Sequence, residues 1–106
     1  TATQKGDRMT LLSKEGGTLF LWLSRTLPRI LQWRRTGETA AAVRCAHFSP
    51  APMQGVVVKL MSRVSRLKTE DGCCWSVTSP HVVIKFKARS PQVREEWILT
   101  LQALMD

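Results

Sequence analysis

The stretch Cys73-Cys74-Trp75-Ser76-Val77-Thr78-Ser79-Pro80-His81-Val82-Val83-Ile84-Lys85-Phe86-Lys87-Ala88-Arg89-Ser90-Pro91-Gln92-Val93-Arg94-Glu95-Glu96-Trp97-Ile98-Leu99-Thr100-Leu101-Gln102-Ala103-Leu104 decides the fold. Its first part alternates. Val82, Ile84, Phe86 and Ala88 fall on one side of an extended chain, and Val83, Lys85, Lys87 and Arg89 on the other, the period of a half-buried strand. Trp75 and Val77 separate likewise from Cys74, Ser76 and Thr78, with a turn at Ser79-Pro80 between the two strands. After Ser90 the period changes. Val93, Trp97, Leu101 and Leu104 recur at steps of four, four and three, flanked by Ile98 and Met105, which predicts one amphipathic helix from Pro91 to about Met105. Ser90 suits the N-cap and Pro91 the first helical position. Glu95 and Glu96 lie early in the helix, where negative charge favours its dipole. Trp97 is expected to be buried against Phe86, Val77 or their neighbours.

Upstream of Ser90 the chain has strand character. Arg8–Lys14, Thr18–Leu23, Arg29–Arg35 and Val56–Leu67 are the further strand candidates, the last long enough for two strands or one bent strand. Gly16-Gly17, Thr36-Gly37-Glu38, Ser49-Pro50-Ala51-Pro52 and Glu70-Asp71-Gly72 punctuate them. Ala40–Phe48 reads either as a strand or as part of an insertion, and residues 36–55 as an enlarged connection between the third and fourth strands. Leu31 and Trp33 separate from Ile30, Gln32 and Arg34 by alternation. Thr18–Leu23 is apolar on both sides, with Leu19, Leu21 and Leu23 on one face and Phe20 and Trp22 on the other.

The 106 residues fit one domain, 1–106, and 43% hydrophobic against 23% charged residues is a globular balance rather than a disordered one. Sixteen Lys and Arg against eight Asp and Glu leave a net charge of +8, which favours acidic partners. The longest apolar run, Leu19–Leu23, is too short for a transmembrane segment. The chain opens at Thr1 without a Met or a charged-then-apolar leader, so it reads as a piece of a larger intracellular, cytoplasmic protein, peripheral to a membrane or the cytoskeleton. Cys45, Cys73 and Cys74 form no CxxC pair and no even disulfide framework, and are expected to be buried or half-buried reduced thiols. No nucleophile–base spacing, phosphate-binding Gly loop or metal-ligand spacing is present, so neither an enzyme nor a cofactor is expected.

Short antiparallel strands closed by a C-terminal helix with a Trp after two acidic residues resemble a pleckstrin homology domain. Trp75 to Ala88 is similar to that family's last two strands, and Glu95-Glu96-Trp97 with its spaced aliphatics to the helix signature. Lys5-Gly6-Asp7-Arg8-Met9-Thr10-Leu11-Leu12-Ser13 resembles the first strand. In spacing the chain is most like the pleckstrin homology domains of phospholipase C enzymes. The resemblance implies a mainly β fold: a bent seven-stranded antiparallel barrel of two near-orthogonal sheets, capped by one C-terminal helix. It also implies phosphoinositide binding by a Lys at the end of strand one and a basic-x-Arg pattern in strand two. Lys14 matches the first position, but Gly17-Thr18-Leu19-Phe20-Leu21-Trp22 holds no Lys or Arg.

Two binding surfaces follow. Phe20, Trp22 and Ile30 stand where lipid-binding relatives carry charge, and are the candidates for protein contact with a partner or in a homodimer. The alternative is covering of this patch by residues 36–55. Lys14, Arg34, Arg35 and Arg44 are the candidates for headgroup contact, expected to give only weak electrostatic attachment to anionic phospholipid. Nucleic acid ranks last, because Trp33, Trp75 and Trp97 are used by the core and leave no stacking platform.

Overall fold

The computed structural model describes residues 5–13, 16–25, 30–48, 52–53, 56–57, 62–79 and 83–104. The fold is mainly β. Strands β1 (Asp7–Leu11), β2 (Thr18–Leu23), β3 (Ile30–Arg35), β4 (Arg44–His47), β7 (Arg63–Arg66), β8 (Cys74–Thr78) and β9 (Val83–Lys87) form one antiparallel sheet in the order β4-β3-β2-β1-β9-β8-β7. Between β4 and β7 lie β5 (Pro52–Met53) and β6 (Val56–Val57), which pair only with each other. The helix α1 (Pro91–Leu104) closes the chain.

β1 is the hinge of this topology. It pairs through Asp7–Thr10 with β2 on one edge, and through Thr10 and Leu11 with Lys87 and Phe86 of β9 on the other. The apolar residues of both halves meet in one core. Met9, Leu19, Leu21, Leu31 and Trp33 come from the first half; Trp75, Val77, Phe86 and Ala88 from the second; Val93, Trp97, Ile98 and Leu101 from α1. The alternation read from the sequence thus sorts the core face of β2, β3 and β9.

Trp97 is fully buried, its ring stacked on Trp75 at 6.4 Å between centroids, and Trp75 in turn lies 4.9 Å from Phe86. The helix begins as expected, with the Val93 amide donating to Ser90 Oγ at 3.2 Å and the Arg94 amide to the Ser90 carbonyl. The expected dipole role of Glu95 and Glu96 does not hold, because the helix starts at Pro91 and neither lies in its first turn; Glu95 has a different role. Its carboxylate accepts a two-pronged contact from Arg66 of β7, Nε to Oε1 at 2.8 Å and Nη2 to Oε2 at 2.7 Å, and so ties α1 to an outer strand of the sheet.

Three further sequence expectations need correction. Ala40–Phe48 resolves into a 3₁₀ turn at Ala40–Ala42 followed by β4, so the β3–β4 connection spans only 36–43. The longer excursion is 48–62, between β4 and β7, because Arg44–His47 supplies enough alternation to pair with β3. Strand β8 is buried on both faces rather than one: Cys74 and Ser76 lie at 4% and 5% exposure beside Lys87 and Lys85 of β9, long side chains whose stems can shield neighbours while their heads stay in water. Cys73 and Cys74 are buried as expected, but Cys45 is exposed on β4. The Asp71 turn preceding β8 is held by its own carboxylate, which accepts from the Cys73 amide at 3.0 Å and the Thr69 hydroxyl at 2.7 Å and pairs with Lys87 Nζ at 3.1 Å.

Candidate functional site

Adjacent residues of a strand point to opposite faces, and residues opposite one another in the ladder share a face. Applied to the register, this builds the outer surface of β1–β3. Arg8 lies opposite Phe20, and Phe20 opposite Arg34, giving one row across three strands. The next row places Trp22 opposite Gln32, whose Oε1 accepts the indole N–H at 2.9 Å. Phe20 and Trp22 are 5.9 Å apart between ring centroids. Phe20 is 41% exposed, while Trp22 and Ile30 are half-buried.

Phe20 is held in place from below. Gly6 has φ +87°, and a Cβ there would lie 2.6 Å from Phe20 Cε1 and 2.9 Å from the Leu21 carbonyl oxygen. Only a residue without a Cβ lets the ring lie over the backbone at this point. Trp22 is held by the hydrogen bond to Gln32, a residue that sequence reasoning did not single out. Ile30 is one step further along than the sequence suggested: it pairs with His47 of β4 and reaches Trp22 only diagonally. β4 widens this face alongside β3 rather than lying over it; of the stretch 36–55 expected to cover the patch, 49–51 and 54–55 lie outside the described residues.

The four basic candidates do not form one cluster. Arg34 is on the outer face with Phe20. Arg35 and Arg44 alternate with Trp33 and Ala46 on the inner face, at the end of the sheet where β1 and β3 finish and β4 and β9 begin. Lys14 lies outside the described residues. At that end a cavity of about 680 Å³ opens, with Leu11, Leu19, Trp33 and Ile84 beneath and Arg35 and Arg44 at its edge. Arg35 Nη2 donates to the Gly16 carbonyl at 3.2 Å, and Arg44 Nη1 pairs with Glu38 Oε1 at 3.2 Å. The cavity was not legible from the sequence, although the parting of Arg34 from Arg35 follows from alternation alone.

Among the described residues of β1–β3, no carboxylate stands on the outer face between Arg8 and Arg34. Its described positions are Arg8, Thr10, Thr18, Phe20, Trp22, Ile30, Gln32 and Arg34. At its border Asp7 and Asp71 line one depression with Arg8, Thr10 and Thr18; Asp7 pairs with Arg89 at 3.3 Å and Asp71 with Lys87 at 3.1 Å. Among the described residues no three of His, Cys, Asp and Glu come together as a metal site, and no helix is long and apolar enough to cross a membrane. Comparison with protein-family models, with curated proteins and with solved structures gives no match to this chain.

Proposed function

We propose that the chain is a non-catalytic module of pleckstrin homology type, a bent barrel of two near-orthogonal sheets capped by α1, that docks a larger protein onto an acidic protein partner through the outer face of β1–β3. The pairing of β1 with both β2 and β9, and the shared core around Trp97, support the barrel reading. The observation that carries the docking reading is the row Arg8–Phe20–Arg34: an exposed aromatic directly between two cations. An aromatic anchor ringed by charge of one sign is the composition of an interface hot spot that selects its partner by electrostatics. The same charges disfavour a homodimer through this face, since two copies would oppose arginine to arginine.

The test compares wild type with Phe20→Glu, using sedimentation for self-association and quantitative capture of partners from cell lysate. Phe20→Glu should lose an acidic partner while the thermal midpoint stays within about 4 °C, as for exposed substitutions. Undiminished capture of every partner, or unfolding of the variant, overturns the docking site. A second reading, weak attachment to anionic membrane, is favoured by the presence of Arg35 and Arg44 together at one end of the sheet. Co-sedimentation with phosphatidylserine vesicles at low salt tests it. Binding that survives 1 M salt, where the screening length is only about 3 Å, refutes its electrostatic basis.

A further inference from the structure

The row Arg8–Phe20–Arg34 has a spacing as well as a charge. Arg8 stands directly opposite Phe20, and Phe20 directly opposite Arg34. Residues so paired on neighbouring strands are about 5 Å apart between Cβ atoms, which puts the two arginines about 10 Å apart across three strands. Trp22 lies two residues further along β2 on the same face, its ring centroid 5.9 Å from that of Phe20. Beside Trp22 the face continues into a depression edged by Lys5 and Arg25.

These cations are not neutralised within the fold. The carboxylates at the border, Asp7 and Asp71, are paired with Arg89 and Lys87, and Glu95 is paired with Arg66 and Arg94. Among the described residues no carboxylate pairs with the side chain of Lys5, Arg8, Arg25 or Arg34. Carboxylates from a partner are the counter-charge that complements this face.

The spacing selects the partner's conformation. In an extended segment, side chains on one face recur at about 6.8 Å and then about 13.5 Å, which matches neither interval of the row. In an α-helix, residues three or four apart on one face are about 5–6 Å apart, and residues seven apart about 10.5 Å. A helix laid across the strands can therefore set an acidic residue at i on one arginine and another at i+7 on the second. Its apolar residues at i+3 and i+4 then rest on Phe20 and Trp22. We propose, as an extension that rests on the docking reading, that the outer face of β1–β3 binds an acidic amphipathic helix of this pattern with its axis crossing the strands.

Calorimetric titration of the full chain with capped peptides of about 20 residues, built on Ala and Gln so that they are helical in water, tests this. A peptide with Glu, Leu, Leu and Glu at i, i+3, i+4 and i+7 should bind with a Kd below about 1 mM. The same composition with both Glu moved two positions, to the opposite side of the helix, should bind at least about tenfold more weakly. So should a version with Pro at its centre, which breaks the helix. Arg8→Glu and Arg34→Glu should each weaken the first peptide by about tenfold or more at an unchanged thermal midpoint. If Arg34→Glu does not fold, Arg8→Glu decides alone, its position being exposed. Arg63→Glu, the same change of charge at an exposed position of β7, should leave the affinity unchanged. Equal binding of the moved-Glu or Pro peptide, no binding of the first peptide at about 1 mM, or an equal effect of Arg63→Glu and Arg8→Glu overturns the helix. An acidic partner lost by Phe20→Glu, with no helical peptide bound, also overturns the helix but leaves the docking face standing. A folded Phe20→Glu variant that binds the first peptide undiminished overturns both.

Discussion

Gly6 shows how a single residue without a side chain shapes the outer face. Its φ of +87° is strained for any L side chain, and a Cβ would strike both the Phe20 ring and the Leu21 carbonyl. Gly6→Ala should therefore destabilise the domain by more than about 1 kcal/mol. Part of that loss belongs to the ring, so in a double-mutant cycle with Phe20→Ala the two losses should sum to more than the double variant's. Strict additivity in chemical denaturation would mean that Phe20 is free to move away and is not a positioned anchor. None of this was legible in Lys5-Gly6-Asp7, because the glycine's partner lies a strand away. Phe20 and Trp22 themselves were legible, since alternation puts them opposite Leu19, Leu21 and Leu23. The grouping of Arg34 with Arg35 misjudged the site for a reason that alternation supplies: neighbours on a strand cannot reach the same face.

At the scale of elements, α1 was the most legible part of the chain and its electrostatics the least. The cap and the apolar stripe are local in sequence, so Ser90, Pro91, Val93 and Trp97 suffice to place them. Ser90→Ala should lower stability by about 1 kcal/mol, as loss of an N-cap oxygen does, measurable by urea denaturation. The Glu95–Arg66 contact joins residues far apart in sequence, and no local pattern announces it. Arg66, with Arg94 adding to it, holds the Glu95 carboxyl down to about 2 from an ordinary 4.5. Asp71 is held below the usual carboxylate range by the Cys73 amide first, then Thr69 and Lys87. For a carboxyl whose folded pKa is depressed, the unfolded chain takes up protons first on acidification. The stabilisation is therefore complete above the ordinary value and disappears as pH falls through the folded one. For Glu95 that window runs from 4.5 down to about 2. The thermal midpoint should fall across it, and the fall should be shallower in Glu95→Gln. Parallel profiles for the two proteins would show that the contact with Arg66 contributes nothing to acid sensitivity.

At the scale of the molecule, the order β4-β3-β2-β1-β9-β8-β7 makes each half of the sheet local in sequence except at one seam, where β1 meets β9 across most of the chain. The local pairings could be read from turns and alternation, whereas the seam and the cavity beside it arise only when the halves come together. The core crosses that seam. Trp97 stacks on Trp75 from one half and belongs to the same cluster as Leu21, Leu31 and Trp33 from the other. Trp97→Ala should therefore cost about 3–5 kcal/mol, as for large aromatic truncations in cores, a large share of the 5–15 kcal/mol typical of a domain. The loss should not stay local to α1. Amide hydrogen exchange should accelerate together in β2–β3 and in β8–β9, because neither half retains a core when the shared one opens. Persisting protection in β2–β3 while α1 and β8–β9 exchange freely would show instead that the first half is a cooperative unit of its own. In that case the outer docking face would outlive the helix, and Trp97→Ala would still bind the partner that Phe20→Glu loses.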